Sequence, residues 1–348
     1  MGARDLEIVR PATGTRRIGW GVVGCGWVAR DYGAPGIANS RLSRVAAVFD
    51  PIPDAAARLV AALPESDEPA RISASLDELL ADPSVDAVYV ATPNDRHAEV
   101  VEACAGAGKN VLCEKPMATS LADARRMVAA CDRAGVRYAT AFDQRFHAAH
   151  RRLRLLVADK ALGIVTQARI HYACWLPADW AADNWRIDPR RAGGGALIDL
   201  APHGIDLLAM LIGDEWDSLV ALTQRRVHDY AVDDGAVLAG RFRNGALATL
   251  HVAYNCPDTY PRRRLELIGT QAMAVATDTM GQTPGGSLEL IDARSGRRAV
   301  VPIDPREDRC AFETQAEAFS ESILTGRPFP FPADRDLRHF TLLEAACR

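Results

Sequence analysis

Between Arg17 and Ala141 short apolar runs alternate with helical patterns, and this alternation constrains the fold more than any other feature of the chain. IGWGVVG, VAAVFD, VDAVYVAT, KNVLCE and RYATAF read as strands, with DPIPDAAARLVAAL, HAEVVEACAGAG and SLADARRMVAACDRAG among the helices between them. Strands separated by helices must return by crossovers, which predicts a parallel sheet covered on both faces. The third helix carries its own punctuation, with Ser120 as N-cap and Gly135 just past the end. After Gln144 the pattern changes. GIVTQARIHYAC, SLVALTQRRV, AVLAGRF, ALATLHVAY, LELIGTQAMAVA and LELIDARSGRRAVV read as strands joined by hairpins such as the one at Asn244-Gly245, a mostly antiparallel sheet. Helices interrupt it at HAAHRRLRLLVADKALG, GGGALIDLAPHGIDLLAMLIG and CAFETQAEAFSESILTG.

Composition narrows the function. A chain of 348 residues, 48% of them hydrophobic, suits about two domains. A net charge of -4 supplies no basic field for phosphate backbones, so nucleic acid is not an expected partner. No apolar stretch follows the charged N-terminus, and no window reads as a membrane span, so no membrane partner and a cytoplasmic location are expected. The eight cysteines show no CxxC pair and suit reduced, buried thiols. His147, His150, His171, His228, His251 and His339 lack ligand spacing, and no metal is expected.

At the end of the first strand, GVVGCGWVA contains Gly24-x-Gly26-x-x-Ala29, followed by a helix opened by Trp27 and Val28. Such a turn brings a helix N-terminus up to a pyrophosphate, although glycines that only make a tight turn give the same letters. Asp50, ending the second strand about 20 residues on, is placed to bind a ribose 2′-hydroxyl. A carboxylate there repels a 2′-phosphate and no arginine follows directly, which favours NAD over NADP. Lys115, behind the apolar run VLCE, falls where ligands bind in open α/β sheets, outside the carboxyl ends of the strands. Asp199 and His203 stand one turn apart in a helical segment, so the carboxylate can orient the imidazole, although a solvated surface pair has the same spacing. Pro202 lacks an amide hydrogen, which predicts a kink or a helix start just before His203.

Taken in order, the glycine turn, Asp50, Thr92-Pro93-Asn94 with His97, Glu114-Lys115-Pro116, Gln144-Arg145-Phe146 and GGGALIDLAPH resemble the glucose-fructose oxidoreductase, inositol dehydrogenase and MocA family over nearly the whole chain. The resemblance implies an α/β fold: an N-terminal Rossmann dinucleotide-binding domain at 17–143 after a tail at 1–16, and a C-terminal α/β domain at 144–330 with a large, open, mainly antiparallel sheet. A helix at 331–348 is expected to pack back on the first domain. It further implies a catalytic triad of Lys115, Asp199 and His203, with the histidine as acid/base on a substrate hydroxyl, and a peptide bond before Pro116 that is often cis. Gly24, Gly26, Trp27, Val28, Asp50, Thr92, Pro93, Asn94, His97, Glu114, Lys115 and Arg186 are the expected cofactor contacts. Arg145 and Trp175 join the triad as expected substrate contacts, while packing for Trp175, Trp180 and Trp185 and a salt bridge from Arg186 to Asp183 or Asp188 stay open. The implied reaction is hydride transfer between nicotinamide and a secondary hydroxyl of a sugar, sugar derivative or cyclitol, in a homodimer or homotetramer. An NAD-dependent glycosidase using transient oxidation and an NAD-binding sensor without turnover remain alternatives.

Overall fold

The computed structural model describes residues 16–347. The tail expected at 1–16 lies outside them except for Arg16, which pairs with Asp86. The chain divides into two compact units, one holding residues up to Asp143 together with 310–337, the other Gln144–Arg309 and the residues from Arg338 on.

In the first unit a parallel sheet has the strand order β3-β2-β1-β4-β5-β6. The strands are β1 (Ile18–Val23), β2 (Ser43–Phe49), β3 (Arg71–Ile72), β4 (Ala87–Val90), β5 (Asn110–Glu114) and β6 (Tyr138–Ala141). Every residue of β1, β4 and β6 is buried, which is why they read as unbroken apolar runs. Between them run α1 (Ala34–Asn39), α2 (Pro53–Ala62), α3 (Leu76–Ala81), α4 (His97–Gly106) and α5 (Leu121–Ala134). The Ser120 hydroxyl accepts from the Asp123 amide, and Gly135 ends α5 at φ 67°. The helix α9 (Ala311–Thr325), expected beside the second sheet, instead packs in this unit. Trp20 of β1 donates its indole N–H to Ser320 at 3.0 Å and lies 5.5 Å from the Phe319 ring, so the partner of this helix is set by a contact between residues 300 positions apart. The last helix, α10 (Ala333–Ala346), groups with the first unit up to Leu337 and with the second from Arg338.

The second unit carries eight strands in the order β14-β13-β12-β11-β7-β10-β9-β8. They are β7 (Val165–Ala173), β8 (Trp216–Gln224), β9 (Gly235–Phe242), β10 (Leu247–Ala253), β11 (Arg263–Gly269), β12 (Ala272–Thr277), β13 (Ser287–Asp292) and β14 (Arg298–Val300). All the pairs are antiparallel except β7 with β10, which run parallel at its centre. Helices α6 (Ala148–Ala158), α7 (Pro189–Ala192) and α8 (Ala196–Ile212) belong to this unit, and α8 packs on β7, β9 and β10. The sheet keeps an open face on which Val220, Leu222, Val237 and Leu247 are exposed, Leu222 to 77%.

Two expectations are corrected here. The helix α8 does not start near His203; it runs through Pro202 from Ala196, giving up the bond that the Ile198 carbonyl would receive. The stretch Pro189–Ile212 is, by length and composition, apolar enough to cross a membrane, contrary to the sequence reading, and 83% of its most apolar 18-residue window is buried inside the protein. Its apolarity is that of a helix enclosed by its own unit.

At the start of α6, burial drives the imidazoles of His147 and His150 down from 6.5, to about 4 and about 3. The His150 ring sits between the Gln144 carbonyl and the Thr279 hydroxyl, 3.0 and 2.9 Å from its nitrogens. An unfolded chain binds protons at these sites below pH 6.5 and the folded one does not, so stability is full above 6.5 and lost as pH falls towards the folded values. Thermal unfolding followed from pH 7 to 4 should show a falling midpoint, with a shallower slope in His150→Gln. Equal slopes in parent and variant would contradict this origin of acid sensitivity.

Candidate active site

The glycine turn ends β1 at the carboxyl edge of the parallel sheet. Gly24 has φ 90°, and a Cβ there would lie 2.6 Å from the Ala91 carbonyl, so the turn itself demands glycine. Gly26 is different: a Cβ there would meet nothing within 4 Å. The protein leaves that space open at the start of the helix, where Arg30 N–H bonds back to the Gly26 carbonyl and Trp27 and Val28 form the first turn. Asp50 accepts from the Cys25 amide at 2.7 Å and from the Ile52 amide at 2.9 Å, a tie between turn and second strand that sequence reading did not foresee. Beside the turn, the buried Thr92 hydroxyl has no hydrogen-bond partner among the described residues. Open space over Gly26, an orphaned hydroxyl and a fixed carboxylate fit a dinucleotide, with Gly24 to Val28 on the pyrophosphate, Asp50 on the ribose and Thr92 available to a bound group.

Lys115 follows β5 at the same edge, half-buried, before a cis Lys115–Pro116 bond. Its neighbours bond to the protein around it. Glu114 is buried, accepting from the Tyr89 hydroxyl at 2.5 Å and from the Lys115 amide at 3.2 Å. His97 is fully buried, with Nδ1 3.0 Å from the Pro116 carbonyl and Nε2 3.1 Å from that of Thr92. Burial, reinforced by the nearby Lys115 charge, lowers its pKa. His97 and Glu114, expected as cofactor contacts, thus fasten the loops after β4 and β5, because their polar atoms are spent inside the protein. Asn94, also buried, opens a short helical turn behind Pro93.

In the second unit Asp199 and His203 project from α8, whose N-terminus is clamped by one residue. The Asp233 carboxylate accepts from the amides of Gly195 and Leu197, both at 2.8 Å, and its carbonyl accepts from Ala196. Burial raises the pKa of Asp233 although these amides work against it. A Cβ on Gly195 would strike the Asp233 carbonyl oxygen at 1.9 Å, which explains a glycine at the end of the Gly193–Gly195 run. The Tyr254 hydroxyl donates to Asp199 Oδ2 at 2.7 Å. Burial, then the Asp199 charge, holds this phenol protonated, its pKa well above the ordinary tyrosine value, so it remains a donor. His203 is 6% exposed and its ring meets Tyr172 edge to face at 5.8 Å. A fixed carboxylate one turn from an enclosed imidazole can do acid/base work on a hydroxyl. Tyr254 and Asp233 were missed by sequence reading; the only signals were a tyrosine ending an expected strand and an Asp-Asp pair before one.

Comparison with known proteins agrees with this layout. Residues 18–142 match the model of an oxidoreductase family with an NAD-binding Rossmann fold, and residues 150–275 match the GFO/IDH/MocA C-terminal domain. The chain is 32% identical to 1,5-anhydro-D-fructose reductase of Ensifer adhaerens over 87% of each chain. It therefore belongs to the Gfo/Idh/MocA oxidoreductases. Within that family it is also 32% identical to D-xylose 1-dehydrogenase (NADP(+)) 2 of Haloferax volcanii, over 72% of this chain and 74% of that one. The structure of aldose-aldose oxidoreductase from Caulobacter crescentus, complexed with glycerol, superposes with a TM-score of 0.83 at 28% identity, covering 96% of this chain and 98% of that one.

The remaining expected residues divide. The Arg145 guanidinium, an expected substrate contact, is 0% exposed and forms a two-bond ion pair with buried Asp206, at 2.8 Å for each bond. Arg186 makes neither of the alternative salt bridges; it lies 4.5 Å over the Trp185 ring and 5.3 Å from that of Trp180, while Asp183 pairs with Arg191 and Asp188 caps α7. Its charge works against the rise that burial and Asp199 impose on the Tyr254 pKa. Trp175, 39% exposed, forms an isolated bridge with Asn255. Because the two glycines differ so sharply, Gly26→Ala should leave the urea unfolding midpoint unchanged but weaken dinucleotide binding about tenfold, measured by fluorescence titration. Gly24→Ala should destabilise the fold. Equal destabilisation by both would show that the space over Gly26 has no ligand role.

Proposed function

We propose that the protein is an NAD-dependent dehydrogenase of a secondary hydroxyl in a sugar, sugar derivative or cyclitol. The observation that carries this reading is the Asp199–His203 pair on one face of α8, with Asp199 held by the buried Tyr254 hydroxyl. His203 takes the proton of the substrate hydroxyl, Asp199 holds substrate and imidazole, and the Lys115 ammonium steadies the oxygen as negative charge gathers on it. Bound nicotinamide would supply the hydride acceptor. Asp50 favours NAD, since its carboxylate, fixed by two amides, would face a 2′-phosphate with its charge. The relative named for NADP makes this preference a point to measure. Trp175 and Arg186 are the proposed contacts beyond the reacting carbon. Eight free cysteines, four of them buried, suit the reducing cytoplasm. The apolar residues on the open sheet face support a homodimer or homotetramer formed through that face.

A panel of sugars, inositols and uronic acids, assayed with NAD and with NADP by nicotinamide absorbance, tests the reading. At least one sugar or cyclitol should be oxidised with net NADH release and with NAD preferred; NADP preference would overturn the assignment of Asp50. On the best substrate, Lys115→Ala should lower kcat by ~10²–10⁴ while NAD binding stays within a few-fold, and unchanged turnover would reject the role of Lys115. Light scattering coupled to size exclusion should give a multiple of the chain mass. A single-chain mass at every micromolar concentration would remove the proposed assembly.

A further inference from the structure

The loop between β8 and β9 is held in one shape by Asp234. Its Oδ2 accepts from the amides of Arg226, Val227 and His228 at 2.9, 2.6 and 3.1 Å, and its Oδ1 from the Asn255 side chain at 2.9 Å. Burial opposes ionisation here, yet the amides prevail and the pKa of Asp234 is lowered, so the clamp is anionic. The loop so ordered presents His228, whose ring stacks on Tyr230 at 5.1 Å and 15° and meets the Trp175 ring at 4.6 Å and 63°. His228 Nε2 lies 3.0 Å from the Tyr254 carbonyl.

A carbonyl only accepts, so in the neutral ring the hydrogen resides on Nε2 and Nδ1 bears a lone pair. Among the described residues no group donates to that nitrogen, and in the half-buried ring it is open to solvent. The result is a fixed acceptor beside a partly exposed indole. Tyr254 ties both to the chemistry, with its carbonyl receiving His228 and its hydroxyl holding Asp199.

We infer that Trp175 and His228 form the specificity subsite of the active site, binding a polyhydroxylated six-membered ring whose C–H face lies on the Trp175 indole and one of whose hydroxyls donates to His228 Nδ1. A pyranose or cyclitol with its axial hydrogens gathered on one face meets both demands. Replacement of that hydroxyl by hydrogen or by a methyl ether removes the donor. The inference rests on the sugar dehydrogenase reading, and a binding measurement separates the two.

Calorimetric titration of the NADH-loaded protein with glucose, xylose and myo-inositol should find at least one ligand. For the best of them, His228→Phe, which keeps an aromatic ring in the stack, should raise Kd by about 3–10-fold, the scale of one neutral hydrogen bond. His228→Asn, whose Oδ1 stands near the place of Nδ1, should recover much of the loss, with kcat in both variants within about twofold of the parent. For the deoxy analogue lacking the recognised hydroxyl, parent and His228→Phe should bind alike. An unchanged Kd in His228→Phe, with the parent's melting temperature preserved, would overturn the subsite, as would a fall in kcat at constant Kd. Loss of binding in His228→Phe in a protein that oxidises no sugar would leave the subsite standing and overturn the dehydrogenase reading. No sugar binding by the parent would overturn both.

Discussion

The paired carboxylates Asp233 and Asp234, just ahead of β9, hold the chemistry-bearing part of the second unit. Asp233 receives the amides at the start of α8 and so fixes the helix from which Asp199 and His203 project. Asp234 receives three loop amides and Asn255, and so fixes His228 beside Trp175. A carboxylate capping a helix contributes on the order of 1 kcal/mol, which is small against a whole fold. Its effect on position is larger than its effect on stability, because acid/base catalysis is sensitive to displacements of an ångström or less. Tyr254 completes the arrangement by joining the fixed loop to the fixed helix through one side chain.

The first unit solves a different problem with the same economy. Parallel strands leave their carboxyl ends to loops, and the loops after β1, β2, β4 and β5 bring Gly24, Asp50, Thr92 and Lys115 to one edge of the sheet. Backbone carbonyls of two of those loops converge on His97, while the Asp50 carboxylate gathers amides of the other two strand ends. The open space over Gly26 and the unpartnered Thr92 hydroxyl are what such a scaffold leaves to a ligand.

Much of this was legible in the sequence where the physics is local. Buried parallel strands are apolar throughout, so β1 and β4 announce themselves, and Ser120 with Gly135 bounds α5 through bonds to its own backbone. The glycine turn, Lys115, Asp199 and His203 were likewise visible from spacing and from the family resemblance. What failed was non-local. An amphipathic pattern does not say which sheet a helix covers, and α9 joins the first unit through Trp20 and Ser320. The family resemblance implies a substrate contact for Arg145, but only the fold shows that its charge is paired with Asp206 in the interior. The family resemblance implies that His97 meets the cofactor, and only the fold shows its ring between two carbonyls; His228, unremarkable as a letter, gains meaning only from the Tyr254 carbonyl that sets its tautomer.

The central claim is that this chain moves a hydride from a ring carbon to nicotinamide and leaves it there. Its most direct test is mass analysis of the cofactor after reaction of NAD with a sugar substrate deuterated at the oxidised carbon. The account expects one deuterium on the nicotinamide ring, NADH and ketone accumulating in equal amounts, and a primary isotope effect in a single turnover. Deuterium returned to a hydrolysed sugar with no net NADH, or bound NAD that never acquires deuterium from any ring substrate, would contradict it.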